Sequence, residues 1–314
     1  MKKSRLLPKT GYWILLLWLS FSSMAYGGNT GEVSSLSQSL IQRLSQDGFD
    51  SEFLSKLLTD PRAGFIAELT MISLISRETP EAYAQFLRPE SILLAKKFLQ
   101  ENLKILREAE QQFNVDKEVI VGILLVESRF GENIGRYRVI STLASMALMD
   151  SPEVLQKVYL SFQEINPDLS SEWIEGLAKR KSEWAYQELK SFLRIVQNEK
   201  MDPLEVFGSY AGAMGMPQFI PSSYITYAVR KESLEKWLLS KEEAILSIGN
   251  YLKSHGWKKS LSTSQKKQIL FRYNQSDPYG ETILQVAQKI KPQLPNSKPQ
   301  INSDKPLPNS KNVK

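Results

Sequence analysis

Apolar residues recur along much of the chain at the three- and four-residue spacing that builds one face of an α-helix. The stretch "SLSQSLIQRLSQDGF" (35–49) places Leu36, Leu40, Ile41 and Leu44 on one stripe and stops at Gly48. "PESILLAKKFLQENLKILREAEQQF" (89–113) carries the same period for 25 residues behind Pro89, a residue suited to a first helical turn. It predicts one long amphipathic helix. Asn114 and Asp116 then offer N-caps for an apolar helix that runs through "VIVGILLVES" and ends near Glu127. "SEWAYQELKSFLRIVQNE" (182–199) and "KEEAILSIGNYLKSHGW" (241–257) predict two more helices, the second broken at Gly256. Val/Thr-rich runs of strand length are scarce, and no alternation of strands with helices is visible. The pattern predicts a mainly α-helical protein.

The two ends differ from this body. Residues 1–27 combine Lys2, Lys3, Arg5 and Lys9 with the apolar run "GYWILLLWLSF" and small residues up to Gly27, the layout of a secretory signal peptide. The alternative is an uncleaved anchor, but the run falls short of the roughly 18 residues that a spanning helix needs. Cleavage and export to the periplasm are expected, with no transmembrane segment left afterwards. Residues 291–314 repeat "LPNSK" and are rich in Pro, Lys, Ser and Asn; such a tail lacks the apolar residues to fold and is expected to be disordered. A folded body over 28–290 remains.

Charge and composition then remove whole classes of function. The formal charge is +6 over 314 residues, but each end carries +4, so the body carries −2. A slightly acidic domain lacks the electrostatic footprint of a nucleic-acid binder. There is no cysteine, hence no disulfide, no thiolate metal site and no lipid-bearing cysteine after the signal. The single histidine, His255, rules out a two-histidine zinc motif and, at a helix end, is suited to capping carbonyls. The glycines of "GSYAGAMG" do not have the dinucleotide-binding spacing. Carboxylates, hydroxyls, amides and tyrosines are the chemical tools left, and glycoside cleavage is a chemistry that needs little else.

Three stretches are candidates to carry it, and each has a structural alternative. Glu127 closes an apolar run, where a carboxylate is costly; it could instead lie just past the core, solvated or paired with an Arg. "GSYAGAMGMPQFIPSSYITYA" (208–228) concentrates Gly and Ala around Gln218, which suits close approach to a ligand or a tight helix–helix contact. "RYNQSDPYG" (272–280) reads as an ordinary Asn/Pro/Gly loop or as a group of sugar-facing residues.

Taken together, "NVDKEVIVGILLVESRFGENIG", "GSYAGAMGMPQFIPSSYITYA", "AILSIGNYLKSHGW" and "RYNQSDPYG" resemble, in order over 111–280, the lytic murein transglycosylase B family. "AYAQFLRPESI" upstream is similar more weakly. The resemblance implies a lysozyme-like α fold with a small β element, a monomer, and peptidoglycan glycan strands as substrate. By this resemblance Glu127 is the acid/base. Ser209 and Gln218 line the cleft beside it, and Tyr251, Asn274 and Tyr279 are further active-site and sugar-contacting positions. The implied reaction begins with Glu127 protonating the glycosidic oxygen while the substrate's N-acetyl group assists departure. Glu127 then takes the proton of the muramic acid C6 hydroxyl, leaving a 1,6-anhydro end. Two positions depart from the family. Where members often have an Asp-rich calcium loop, this chain has "VRKESLEKWLLS", so no metal or other cofactor is expected. Where a cleft tyrosine is common, Ala82 aligns, with Tyr83 next to it. A hydrolytic muramidase on the same fold and a non-catalytic peptidoglycan-binding protein are the competing readings.

Overall fold

The computed structural model describes residues 30–66, 79–165 and 170–291. The expected signal peptide and nearly all of the expected tail lie outside the described residues. Fourteen helices follow one another along the described residues: α1 (Thr30–Gln46), α2 (Ser51–Leu58), α3 (Pro80–Tyr83), α4 (Pro89–Glu101), α5 (Leu103–Phe113), α6 (Lys117–Ser128), α7 (Val139–Ala147), α8 (Pro152–Ile165), α9 (Ser171–Glu199), α10 (Pro221–Tyr227), α11 (Leu234–Trp237), α12 (Lys241–Ser254), α13 (Thr263–Tyr273) and α14 (Asp277–Ile290). Two short strands, β1 (Tyr137–Arg138) and β2 (Phe207–Gly208), pair antiparallel with Tyr137 opposite Gly208 and Arg138 opposite Phe207. The architecture is mainly α with a small β element, as the sequence predicts.

Apolar faces converge on one core. Ile120, Ile123 and Leu124 of α6, Leu143 of α7, Leu189 and Phe192 of α9, and Ile283 and Val286 of α14 are buried in it. A smaller cluster joins Leu36, Val154, Val158 and Ile174. Nearly every side chain of α6 from Glu118 to Leu125 is buried, so this helix runs through the interior and delivers its C-terminal end to the functional region.

Three expectations are corrected. The segment 89–113 is two helices, not one: Asn102 leaves the helical conformation at φ −111°, and its side-chain amide donates to Phe98 O at 2.9 Å. Such a side chain competes with the helix's own ladder, a tendency that hydrophobic period alone does not reveal. The helix predicted over 182–199 starts at Ser171, capped by the Ser170 side chain. Of the two candidate caps of α6, Asp116 is the N-cap residue but makes no side-chain capping bond, and Asn114 does not cap it. Asn114 ends α5 in the left-handed conformation, and Asp116 spends its carboxylate on Trp257 Nε1 (3.2 Å) and Lys266 Nζ (3.0 Å). His255 does terminate α12, with Nδ1 2.8 Å from Tyr251 O, and Gly256 follows at φ +86°.

Two glycines fix how elements approach. Gly122, in the middle of α6, faces α14: a Cβ there would lie 3.1 Å from Ile283 O. The two helices therefore touch backbone to backbone, and Tyr279, one turn before Ile283, is brought against Glu127. Gly208 in β2 meets Ala213 O, which a Cβ would approach to 2.3 Å, so the loop 209–213 folds directly onto the strand.

Candidate active site

Glu127 occupies the last turn of α6 and is half-buried. The helix ends there through three successive left-handed residues, Arg129 (φ +48°), Phe130 (φ +63°) and Gly131 (φ +94°). Phe130 N–H donates to Leu124 O and Arg129 N–H to Leu125 O, so the last carbonyls are met within the turn, with an arginine in the left-handed position where glycine is usual. Phe130 is held by stacking on Phe98, with ring centroids 4.1 Å apart and 12° between planes. The turn directs Arg129 outward to Glu132 (3.3 Å), so the nearest basic side chain in sequence is engaged elsewhere.

The Tyr279 hydroxyl donates to Glu127 Oε1 at 2.7 Å. Tyr279 is fully buried at 0% exposure, supplied by the first turn of α14, which Ser276 caps. Burial pushes its phenol well above the ordinary range, and the Glu127 charge adds to the effect, so it remains a donor at any pH near neutrality. Tyr273 is raised in the same way, first by burial and then by the Glu127 charge. An aromatic chain extends from this pair. Tyr273 stacks on Tyr279 at 6.2 Å, Tyr83 meets Tyr279 edge-on at 6.2 Å, and Tyr251 meets Tyr273 at 4.7 Å.

Three carboxylates elsewhere among the described residues are buried. Glu118 pairs with Lys117 at 3.0 Å. Glu188 accepts the Ser222 amide (2.9 Å) and hydroxyl (2.7 Å) at the start of α10. Glu243 accepts the amides of Lys231 and Glu232. These acids accept from a cation, from backbone amides or from a serine hydroxyl, although Glu243 Oε2 is left without a partner. Glu127 accepts from a neutral phenol that belongs to an aromatic cluster.

The remaining sequence candidates have these places. Gln218 adopts the left-handed conformation (φ +50°), and its Nε2 donates to Gly215 O (2.8 Å) and Ile134 O (3.2 Å), bridging its own loop to the segment after Glu127. Asn274 is half-buried at the C-cap of α13, immediately after Tyr273. The Ser209 hydroxyl accepts the amides of Ala211 (3.2 Å) and Ala213 (3.1 Å), holding the Gly/Ala loop in shape. Tyr251 is 6% exposed and donates to Arg272 O at 2.8 Å. Glu127 and Tyr279 are thus in direct contact; Tyr251 and Asn274 join through Tyr273, and Gln218 through its loop. Ser209 stands in the adjoining turn.

The sequence assigns no role to Ser128 or Tyr273, and it places Ala82, with Tyr83 beside it, where the family has a cleft tyrosine. Tyr273 and Ser128 lie within the quoted motifs, so the signal was present, but nothing in spacing marks a hydroxyl that bonds to a distant carbonyl. Tyr83, one residue past the aligned Ala82, is the one whose ring reaches Tyr279.

At the departing loop, the Lys231 ammonium donates to Glu242, and Glu243 accepts two amides on Oε1 while its buried Oε2 has no partner. One unpartnered carboxylate oxygen beside a lysine is far from the six to eight oxygen ligands that a calcium ion takes.

The family described as "Transglycosylase SLT domain" matches residues 32–268. The chain belongs to this family. It is 28% identical over 270 residues to membrane-bound lytic murein transglycosylase B of Escherichia coli (strain K12), an alignment covering 80% of this chain and 64% of that protein. The match thus spans a little under two thirds of the relative's length. Among solved structures, the soluble lytic transglycosylase SltB1 from Pseudomonas aeruginosa superposes with a TM-score of 0.62 at 23% identity, covering 82% of this chain and 98% of that one. The Escherichia coli lytic transglycosylase Slt35, in complex with bulgecin A, gives a TM-score of 0.63 at 24% identity over 81% and 92% of the two chains. SltB3 from Pseudomonas aeruginosa, in complex with NAG-anhNAM-pentapeptide, gives 0.63 at 18% identity over 82% and 79%. The fold is that of the lytic transglycosylases.

Proposed function

We propose that this SLT-family protein is an exported lytic murein transglycosylase that cleaves the MurNAc–GlcNAc bond of peptidoglycan without water, using Glu127 as its one acid/base. The observation that carries this reading is the 2.7 Å bond from the buried Tyr279 hydroxyl to Glu127 Oε1. A phenol that stays protonated can orient a carboxyl group through both halves of a proton-transfer cycle, because it donates to the group whether or not that group is ionised.

In the first half-reaction the Glu127 carboxyl proton passes to the glycosidic oxygen. The bond from that oxygen to muramic acid C1 breaks while the substrate's own N-acetyl oxygen supports C1. In the second, the C6 hydroxyl attacks C1, and its proton returns to the Glu127 carboxylate. The bonds balance with no water consumed, and the product ends in 1,6-anhydro-muramic acid. Gln218 and Asn274, both half-buried, are placed to orient the N-acetyl group and hydroxyls. Tyr251 and Tyr279 are buried, so their part is to support the site from behind, while Ser209 shapes the loop. The names of the family's members and the anhydro-muropeptide bound to SltB3 support this chemistry.

Export follows from the signal-like residues 1–27, with the catalytic body over 28–290 and the 291–314 tail dispensable for chemistry. No helix among the described residues is long and apolar enough to cross a membrane. The decisive experiment is Glu127→Gln with product analysis by mass spectrometry. The near-isosteric variant should fold and bind glycan but lose about 10²–10⁴-fold in rate. Wild-type products should carry anhydro ends; reducing ends with labelled oxygen from water would place hydrolysis in the same site, and unchanged turnover in the variant would remove Glu127 from the chemistry.

A further inference from the structure

Two hydroxyl groups with no part in the proton transfers grip consecutive carbonyls just before Gln218. Ser128 Oγ donates to Met216 O at 2.7 Å, and Tyr273 Oη donates to Pro217 O at 2.6 Å. Pro217 has no N–H, so the peptide joining it to Met216 offers a neighbour only its carbonyl. Both grips lead back to the acid. Ser128 is the residue after Glu127, is 1% exposed, and also accepts the Gly131 amide (3.1 Å) that closes the left-handed turn. Tyr273 stacks on Tyr279, which holds Glu127 directly.

The gripped segment leads into a residue in an unfavourable backbone conformation. Gln218 is a non-glycine residue at φ +50°, and such a conformation persists only where surroundings fix it. Met216 N–H donates to Leu238 O (3.0 Å) and Gln218 N–H to Gly215 O (3.1 Å), and Met214 and Phe219 close the loop through paired backbone bonds (2.8 and 3.1 Å), while the two hydroxyls tie the Met216 and Pro217 carbonyls to the Glu127 side of the site. We infer that Ser128 and Tyr273 are positioning residues: they clamp the Met216–Pro217 backbone and thereby set the spacing between Glu127 and the Gln218 amide. The inference rests on the reading of Glu127 as the acid. The competing explanation is that the hydroxyls merely satisfy two buried carbonyls.

The test uses the full mature chain with Tyr273→Phe, Ser128→Ala, their double variant, and Ser128→Thr, which keeps the hydroxyl. Three quantities are read: kcat and KM on isolated peptidoglycan, melting temperature, and hydrogen–deuterium exchange of the 214–219 amides. Each hydroxyl deletion should lower kcat about ten-fold with KM changed less than about two-fold, and should speed exchange across 214–219. The double variant should lose less than the product of the two, because both deletions free one segment. Ser128→Thr should restore most of kcat. Lower melting temperatures with wild-type kcat would leave the hydroxyls as carbonyl caps and overturn the clamp. A fall in kcat without faster exchange would overturn it too, since the hydroxyls would then act on substrate. Faster exchange in variants of a wild-type protein that does not cleave peptidoglycan would uphold the clamp and overturn the proposed function instead.

Discussion

Replacing Tyr279 by Phe isolates one oxygen atom. The ring stays wedged between Tyr83 and Tyr273, so aromatic packing is kept, and what is lost is the 2.7 Å bond to Glu127. A hydrogen bond to an ionised group is worth about 1.5–3 kcal/mol. If that bond fixes the carboxyl in its reactive orientation, its loss raises the barrier by a similar amount, or roughly ten- to hundred-fold in kcat. Because Tyr279 has 0% exposure, it cannot touch a sugar, and KM should hold. Stability should fall by only about 1 kcal/mol, since Glu127 is half-buried and water can replace the phenol. The assay is release of soluble muropeptides from a peptidoglycan suspension over a concentration series, with a thermal melt of the same samples. A variant with unchanged kcat would show that Tyr279 is packing alone and would remove the main support for Glu127 as the reacting acid. A rise in KM with constant kcat would mean that the buried tyrosine is exposed to substrate in solution, contrary to the structure.

Three further outcomes follow from the same contacts. Gly122→Val should cost about 1–3 kcal/mol by overpacking against Ile283, lowering the melting temperature by several degrees, and should lower kcat by moving Tyr279 off Glu127; an unchanged melt would refute the tight α6–α14 contact. Glu188→Ala should cost about 1–3 kcal/mol, because the Ser222 amide and hydroxyl lose their shared acceptor at the start of α10; a denaturant melt measures it, and no loss would refute that role. Burial raises the phenols of Tyr251, Tyr273 and Tyr279, so their contribution is complete below the unfolded value near pH 10 and is lost as pH rises beyond it. Stability should then fall by about 1.4 kcal/mol per pH unit for each, and ultraviolet titration should show these phenols ionising only as the chain unfolds; a normal midpoint in the folded protein would refute their burial.

The helical period along the chain was enough to read the class of fold and most helix positions, because burial of one face per helix imposes that period directly. It failed at Asn102, where a single side-chain amide divides a continuous stripe, and it did not reveal that Asp116, the N-cap residue of α6, gives its carboxylate to Trp257 and Lys266 far along the sequence. The same division holds for the site. Glu127 stands out locally because a carboxylate closing an apolar run is costly, but that leaves a solvated or paired acid as an equal explanation. The roles proposed for Glu127, Gln218, Asn274 and Tyr279 come from the order of the motifs and their family resemblance, not from local pattern. The bond from Tyr279 to Glu127 and the grips on Met216 and Pro217 were not legible, since each joins residues 56 to 152 positions apart and depends on how closely helices approach.

Glu127 sits where three local preferences are set aside. A carboxylate in the last turn of a helix faces the negative end of the helix dipole, a placement unfavourable by about 0.3–1 kcal/mol. Two non-glycine residues, Arg129 and Phe130, then adopt the left-handed conformation, each at a cost of about 1–2 kcal/mol. Gly122 weakens the middle of the same helix by roughly 1 kcal/mol relative to Ala. Each departure has a geometric consequence at one point. The glycine lets α14 approach so that Tyr279 reaches the acid. The left-handed turn sends Arg129 out to Glu132 and holds Ser128 inward against Met216. A fold selected for stability alone would end this helix on a glycine with a lysine or arginine nearby. Local rules broken together around one carboxylate, with their cost offset by packing such as the Phe98–Phe130 stack, are what a site kept for proton transfer is expected to look like.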